Sequence, residues 1–203
     1  MEQTDDTIGL PVPRHDSDTS LERTLQQRRS MREFRRAPIS LAQLSQLLWA
    51  AQGITDEGGM RTAPSAGALY PLEVYVVVGS VQGLAAGVYQ YRPQGHALRK
   101  RAGEDRRPEL ERAALGQDCV GTSAALIVFT AVESRTTRKY GQRGLHYIDI
   151  EVGHAAQNVM LQAVALGLGS AVVGAFDDSQ VAKVLELPKA ERPLYLMPIG
   201  IPR

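Results

Sequence analysis

"GLHYIDIEVGHAAQNVMLQAVALG", residues 144–167, decides how the rest of the chain must be arranged. Its spacing predicts a helix over about 144–166, stopped at Gly167 by a residue free to leave the helical conformation. Val152, Leu161, Val159 and Val164 make most of its circumference apolar, and Gly153, Ala155 and Ala156 leave a thin patch between them. A helix apolar nearly all round belongs in a core or in a subunit interface. We expect this one to serve both.

Working outward, helices and strands mix without regular alternation. A helix is expected from Leu21 to about Arg29, capped by Ser20 or Thr19, and a second from Ser40. Ser40 and Gln43 form a capping box, with Leu41, Leu44, Leu47, Leu48 and Ala51 on one stripe. The β-branched "EVYVVVG" (73–79) reads as a strand, and 87–100 as a hairpin turning at Pro93-Gln94-Gly95. A short helix follows over 107–116, with Pro108 in its first turn. The remaining expectations are a buried strand at 124–132, a strand at 170–176, a helix at 178–187 and a strand at 194–201. That order suits an α+β sandwich better than a doubly wound sheet. Residues 1–18 read as a flexible arm, and 19–203 as one domain.

The bulk numbers narrow the function. The 203 residues carry 23 Lys plus Arg against 22 Asp plus Glu, a formal net charge of +1. That balance argues against a dedicated nucleic-acid binder. One cysteine, Cys119, gives neither a disulfide framework nor a cysteine zinc site. The first twenty residues have no apolar core of signal-peptide length, and the longest apolar run, "AALIVFTAV", is too short to span a bilayer. The expectation is a soluble, cytoplasmic protein with no membrane partner.

Four stretches could carry chemistry. In "RRSMREF" (28–34) the arginines are either a solvated face or an anion site. For the second, Arg28 and Arg32 lie four apart with Ser30 between, and guanidinium forks suit phosphate. Arg29 would then face away, solvated or paired with Glu33. In "TAPSAGALYPLEVYVVVG" (62–79) small residues let a flat ligand approach the backbone, and Pro64 and Pro71 stiffen the loop; the plain alternative is a loop entering a strand. "GLGSAVVGAF" (167–176) fails as a dinucleotide fingerprint, since Val172 falls where the third glycine is needed. It reads better as an extended segment exposing backbone N–H groups. "RTTRKYGQRGLHYIDIEVGHAAQN" (135–158) is dense in titratable groups, yet His146, Asp149 and His154 lack metal-site spacing, so no metal is expected; a solvated helix start explains the density equally.

Taken together, these stretches resemble the FMN-dependent nitroreductase superfamily. More narrowly they resemble its SagB-type dehydrogenase branch, kin to the flavin oxidases that turn peptide azolines into azoles. The resemblance runs from about Leu21 to Ile201 and is carried by "RRSMREF", "APSAGALYPLEVYVV", "RKYGQRGLHYIDIEVGHAAQNVMLQAVALGLG" and "GAFDD", in that order. It implies an α+β fold with a central, mostly antiparallel sheet flanked by helices, in an intertwined homodimer with two FMN groups at the interface. By matching positions, Arg28, Ser30 and Arg32 would hold FMN. Pro64, Ser65, Ala66 and Gly67 would serve the flavin bound mainly by the other subunit. Val172, Val173, Gly174 and Ala175 would line the ring. Many members complete the phosphate site with a basic pair after the last strand, and Arg203 stands in that region here.

The resemblance also implies the chemistry. Lys139 and Tyr140 match a Lys-Tyr pair that serves catalysis in the azoline oxidases, so either would take the proton that accompanies hydride loss from a small-molecule or modified-peptide substrate. A cation at Arg32 would favour the reduced, anionic flavin. Two other classes fit the same stretches: an NAD(P)H-dependent nitro- or quinone-reductase, with NAD(P)H as co-substrate, and a non-catalytic flavin-binding subunit of a biosynthetic complex.

Overall fold

A computed structural model describes residues 7–203. In chain order the elements are β1 (Thr7–Gly9), α1 (Leu21–Gln27), β2 (Ile39–Ser40), α2 (Leu41–Gln52), β3 (Leu72–Val78), β4 (Val81–Gln82), β5 (Gly87–Arg92) and β6 (Ala97–Ala102). Then come α3 (Arg107–Ala113), α4 (Asp118–Thr122), β7 (Ala125–Val132), α5 (Ser134–Tyr140), α6 (Arg143–Ala165), β8 (Gly169–Ser170), α7 (Asp178–Val184) and β9 (Glu191–Gly200).

Seven strands form one sheet in the order β1-β6-β5-β3-β7-β9-β8, and every adjacent pair is antiparallel. β2 and β4 make a separate parallel ribbon. The period-two alternation of the central strands divides the interior into two cores. Val74, Val76 and Val78 of β3, with Ile127 and Phe129 of β7, pack with Leu44, Leu47 and Leu48 of α2 and Ile148, Val152 and Val159 of α6. Tyr75 and Val77, with Leu126 and Val128, face the other way, to Leu110 of α3, Val120 of α4 and Val181 of α7. The expected α+β sheet flanked by helices is therefore what forms.

Local chemistry sets the element ends. The capping box of α2 is complete: Ser40 Oγ accepts from the Gln43 N–H at 3.1 Å, and Gln43 Oε1 accepts from the Ser40 N–H at 2.9 Å. The β5–β6 hairpin turns over Pro93–His96, with Gly95 at φ +81° and the His96 N–H donating to the Pro93 carbonyl. Gly141, at φ +56°, separates α5 from α6.

The structure adds α4, α5 and the β2–β4 ribbon to the expected elements, ends the 107–116 helix at Ala113, and reshapes three further stretches. α1 ends at Gln27, not near Arg29, because Arg28 leaves the helix at ψ 123° and the chain turns to pair with the sheet edge. Residues 170–176 do not form a full strand. Ser170 pairs with Ile199 and Val173 with Leu196 in one register, but Ala171 between them faces Pro198, which has no N–H to give. Of the stretch read as an arm, residues 1–6 lie outside the described residues, and Thr7–Gly9 adds to the sheet as β1. The segment after β1 is anchored too. His96 contacts Tyr91 Oη at 2.8 Å through Nδ1 and Ser45 Oγ at 2.7 Å through Nε2, while Ser45 donates to the Pro11 carbonyl at 2.6 Å. Arg14 exchanges two hydrogen bonds with the side chain of Gln46, and His15 stacks on Trp49.

Candidate functional site

The residues singled out by sequence fall into two groups at different levels of α6. The first lies past its C-terminal end. Beyond α1 the chain runs extended: Ser30 bridges Ser170 in parallel, the Met31 N–H donates to the Ser170 carbonyl at 2.9 Å, and Phe34 pairs with Pro202. Phe34 is buried against Gly169 and Gly200, whose missing side chains leave room for its ring. This pins residues 28–34 beside the chain end, where the Arg203 N–H donates to the Glu33 carbonyl at 3.3 Å. Among the described residues the Arg28, Arg32 and Arg203 guanidinium groups and the Ser30 hydroxyl have no hydrogen-bond or ion-pair partner. Arg29 is different. It does not pair with Glu33 but donates to the backbone carbonyls of Gln26 and Arg28 at 3.0 and 2.7 Å. Arg32 reaches toward α4: burial raises the Cys119 thiol pKa, and the Arg32 charge opposes that.

Close to this group runs 172–175. Val173 is buried and held to Leu196 by two backbone bonds of 2.8 and 3.0 Å, while Val172 packs on the core. Gly174 and Ala175 are exposed, and neither N–H has a partner among the described residues. Gln117 donates to the Ala175 carbonyl at 2.9 Å and steadies the segment from α4's side. Free guanidinium groups, a free hydroxyl and two free backbone N–H groups make a donor set suited to an anionic, heteroatom-rich ligand such as a flavin mononucleotide.

The second group sits lower on α6. The loop 64–68 makes a single turn in which Gly67 takes φ +65°. A Cβ on Gly67 would stand 2.7 Å from Tyr140 Oη and 3.0 Å from Lys139 Nζ, so both side chains of the pair at the end of α5 close on this glycine. The Lys139 ammonium lies 5.4 Å from the Tyr140 ring centroid, and Tyr147 meets that ring edge-on at 5.2 Å. Ser65 ties the loop to α6. Its hydroxyl donates to Glu151 Oε2 at 2.6 Å and accepts the Tyr70 N–H at 2.9 Å. Pro64 is exposed and Ala66 half-buried at the same turn.

Glu151 was not singled out from sequence. It is 2% exposed, its Oε1 has no partner among the described residues, and burial pushes its pKa up to about 7 against the opposing Ser65 bond and Arg61 charge. The signal was present: Glu151 stands on the buried stripe Ile148, Ala155, Val159, where a carboxylate is costly. Asn158, two turns on, donates to the Thr62 carbonyl at 3.1 Å and holds the other end of the loop. Among the described residues there is no group of three His, Cys, Asp or Glu side chains that could hold a metal, and no helix long and apolar enough to cross a membrane.

The nitroreductase family model matches residues 25–201, and the chain belongs to the nitroreductase family. It is an oxidoreductase of that family. MJ1384 of Methanocaldococcus jannaschii, a protein named for the nitroreductases, is 45% identical over 195 residues, covering 96% of this chain and 97% of its own. The microcin B17-processing protein McbC of Escherichia coli is 32% identical over 156 residues, covering 73% of this chain and 57% of its own. Among solved structures, a nitroreductase-type protein of Ralstonia eutropha JMP134 superposes with a TM-score of 0.87 at 33% identity, covering all of this chain and 92% of that one. The E. coli microcin synthetase complex McbBCD with truncated pro-MccB17 bound gives 0.72 at 28% identity, covering 94% and 76%.

Proposed function

We propose that the protein is an FMN-dependent dehydrogenase of the SagB type, working as a homodimer on an azoline-like or peptide-derived substrate. What carries the reading is the meeting of the Lys139-Tyr140 pair with Gly67, residues of two separate stretches that form one surface. Arg28, Ser30, Arg32 and Arg203 would hold the phosphate and pyrimidine end, and Val172, Val173, Gly174 and Ala175 the ring. Pro64, Ser65, Ala66 and Gly67 would approach from the second subunit. FMN bound by these residues would supply the acceptor for the hydride that the substrate loses.

This chain's residues handle the proton. Loss of hydride from one ring C–H of an azoline leaves the neighbouring C–H proton to be removed as the carbon–carbon double bond forms. Tyr140 Oη or Lys139 Nζ takes it, since both side-chain ends close on Gly67. Glu151, through Ser65, keeps the loop seated while this happens.

Spacing supports the proposed dimer. Ser65 is bound at Glu151, whereas Ser30 is bound at Ser170, beyond Ala165. Fourteen residues of helix separate those levels, roughly 20 Å at about 1.5 Å per residue. A second copy brings the loop of one chain onto the arginines of the other. The face of α6 that carries Ile150, Gly153 and His154 is exposed and open to such packing.

The likeness to MJ1384 over nearly both full lengths favours a second reading, NAD(P)H-dependent reduction of a nitro compound or quinone. One preparation tests both. The protein is expected to be yellow, to release FMN on denaturation and to run as a dimer in light scattering. At full flavin occupancy, Lys139→Ala and Tyr140→Phe should lose azoline-peptide dehydrogenation. Unchanged turnover, or steady NAD(P)H consumption with a quinone and none with an azoline, rejects the dehydrogenase.

A further inference from the structure

Beside the 64–68 loop, on the side of Tyr70, lies a cavity of about 320 Å³. Gln52, the last residue of α2, lines it although its side chain is fully buried. Gln52 Oε1 accepts from Arg61 Nη1 at 2.8 Å. An arginine carries only donors, so this bond fixes which way the amide points and leaves Nε2 as the free end. That donor is buried and has no partner among the described residues.

Arg61 is in a matching position. It is half-buried, its guanidinium lies 4.4 Å over the Tyr70 ring, and among the described residues no carboxylate lies within ion-pair distance of it. Burial lowers its pKa, with Glu73, Tyr70 and Glu151 opposing and Arg135 reinforcing. Glu73, which could have balanced it, is already held by Arg135 at 2.6 Å and by Gln90 at 2.9 Å. Arg92, exposed at the rim, has no side-chain partner among the described residues. Among the residues that line the cavity, three arginines thus face one carboxylate, Glu73, that is already bonded. A buried amide donor without an acceptor and a half-desolvated guanidinium without an anion require the same thing, an acceptor oxygen carrying negative charge.

We infer that this cavity is a carboxylate-anchoring site, gripped by Arg61 and Gln52 with Arg92 at the mouth, which seats an acidic group of the substrate beside Lys139 and Tyr140. The placement follows from the chain: Tyr70 closes the loop that carries Gly67, and Arg135 lies one helical turn before Lys139 on α5. The planar fork of the half-buried Arg61 guanidinium suits the two oxygens of a carboxylate. Calling the ligand a substrate rests on the proposed function; the binding itself needs no flavin.

Benzoate and its uncharged counterpart benzamide are the probes, titrated calorimetrically into the full chain, with FMN content measured on the same samples. Benzoate should bind at least about tenfold more tightly than benzamide, the worth of a charge-assisted bond to a partly buried donor. Arg61→Gln should abolish the preference, and Arg92→Gln, at an exposed position whose change leaves the fold intact, should weaken benzoate severalfold. Equal binding of the two probes, a preference that survives in folded Arg61→Gln, or unchanged benzoate affinity in Arg92→Gln overturns the inference. So does inorganic phosphate that binds more tightly than benzoate and loses that affinity in Arg61→Gln, since phosphate held at Arg28 and Arg32 would not respond to that change. A benzoate preference in protein that takes up no FMN upholds this site and rejects the flavin reading; FMN uptake with no preference does the reverse.

Discussion

Replacing Glu151 with glutamine should make the protein more stable at alkaline pH and leave it nearly unchanged at acid pH. Glu151 is buried and its pKa is pushed to about 7 from an ordinary 4.5, first by burial. Between those two values the folded chain keeps a proton that the unfolded chain has released. Stability therefore falls as pH rises from about 4.5 through about 7, and it is the charged carboxylate, not the neutral acid, that strains the fold. The distance between the two pKa values, at about 1.4 kcal/mol per pH unit, comes to about 3 kcal/mol, most of it between pH 5 and pH 8. Glutamine has the same shape, stays neutral throughout, and offers Ser65 the same acceptor. Urea unfolding followed through Trp49, the single tryptophan, at one protein concentration and at pH 5 and 8, measures the effect. The expected result is a Glu151→Gln advantage that grows by about 2 kcal/mol between pH 5 and pH 8. Curves for the two proteins that stay parallel across that range would refute the reasoning.

The arginine stretch predicts unequal losses. Arg28→Ala should weaken FMN binding by roughly thirty- to a hundredfold in a fluorescence titration, whereas Arg29→Ala should cost about fivefold at most, since Arg29 bonds only to the nearby carbonyls of Gln26 and Arg28. Burial lowers the His96 pKa from 6.5, against the opposing bond to Pro11, so the folded chain holds it neutral. Stability and resistance of residues 7–15 to proteolysis should be complete above about 6.5 and fall as pH drops below it, and His96→Gln should remove that dependence. Gly67→Ala should cost about 1 kcal/mol for its left-handed backbone. Because the atoms it meets are the far ends of Tyr140 and Lys139, thermal melting should show an intact fold while azoline-peptide turnover is lost.

Where neighbouring residues supply the cause, the sequence by itself determined the outcome. The apolar circumference of 144–166 and the stop at Gly167 gave α6 to within a residue at each end. Ser40 and Gln43 capped α2, Pro93-Gln94-Gly95 turned the hairpin, and the β-branched runs became β3 and β7. These are local effects, set by side-chain period, turn conformation and caps a few bonds away.

Only the tertiary structure decided what depends on distant partners. The strand order could not be read from composition, nor could the pairing of Thr7–Gly9 with β6, since an edge strand owes its shape to the strand it joins. The break after Ser170 comes from Pro198, nearly thirty residues away, whose missing N–H faces Ala171. The site is of the same kind. Sequence resemblance named Gly67, Lys139 and Tyr140 from separate stretches, and the fold closes the pair onto the glycine. Ser65 reaches Glu151 across 86 positions, and a buried amide at Gln52 gains its fixed orientation from an arginine on a different segment. Desolvation is the reason these escaped a linear reading: what a carboxylate, a guanidinium or an amide does depends on how much water the whole fold removes from it, and no local pattern carries that quantity.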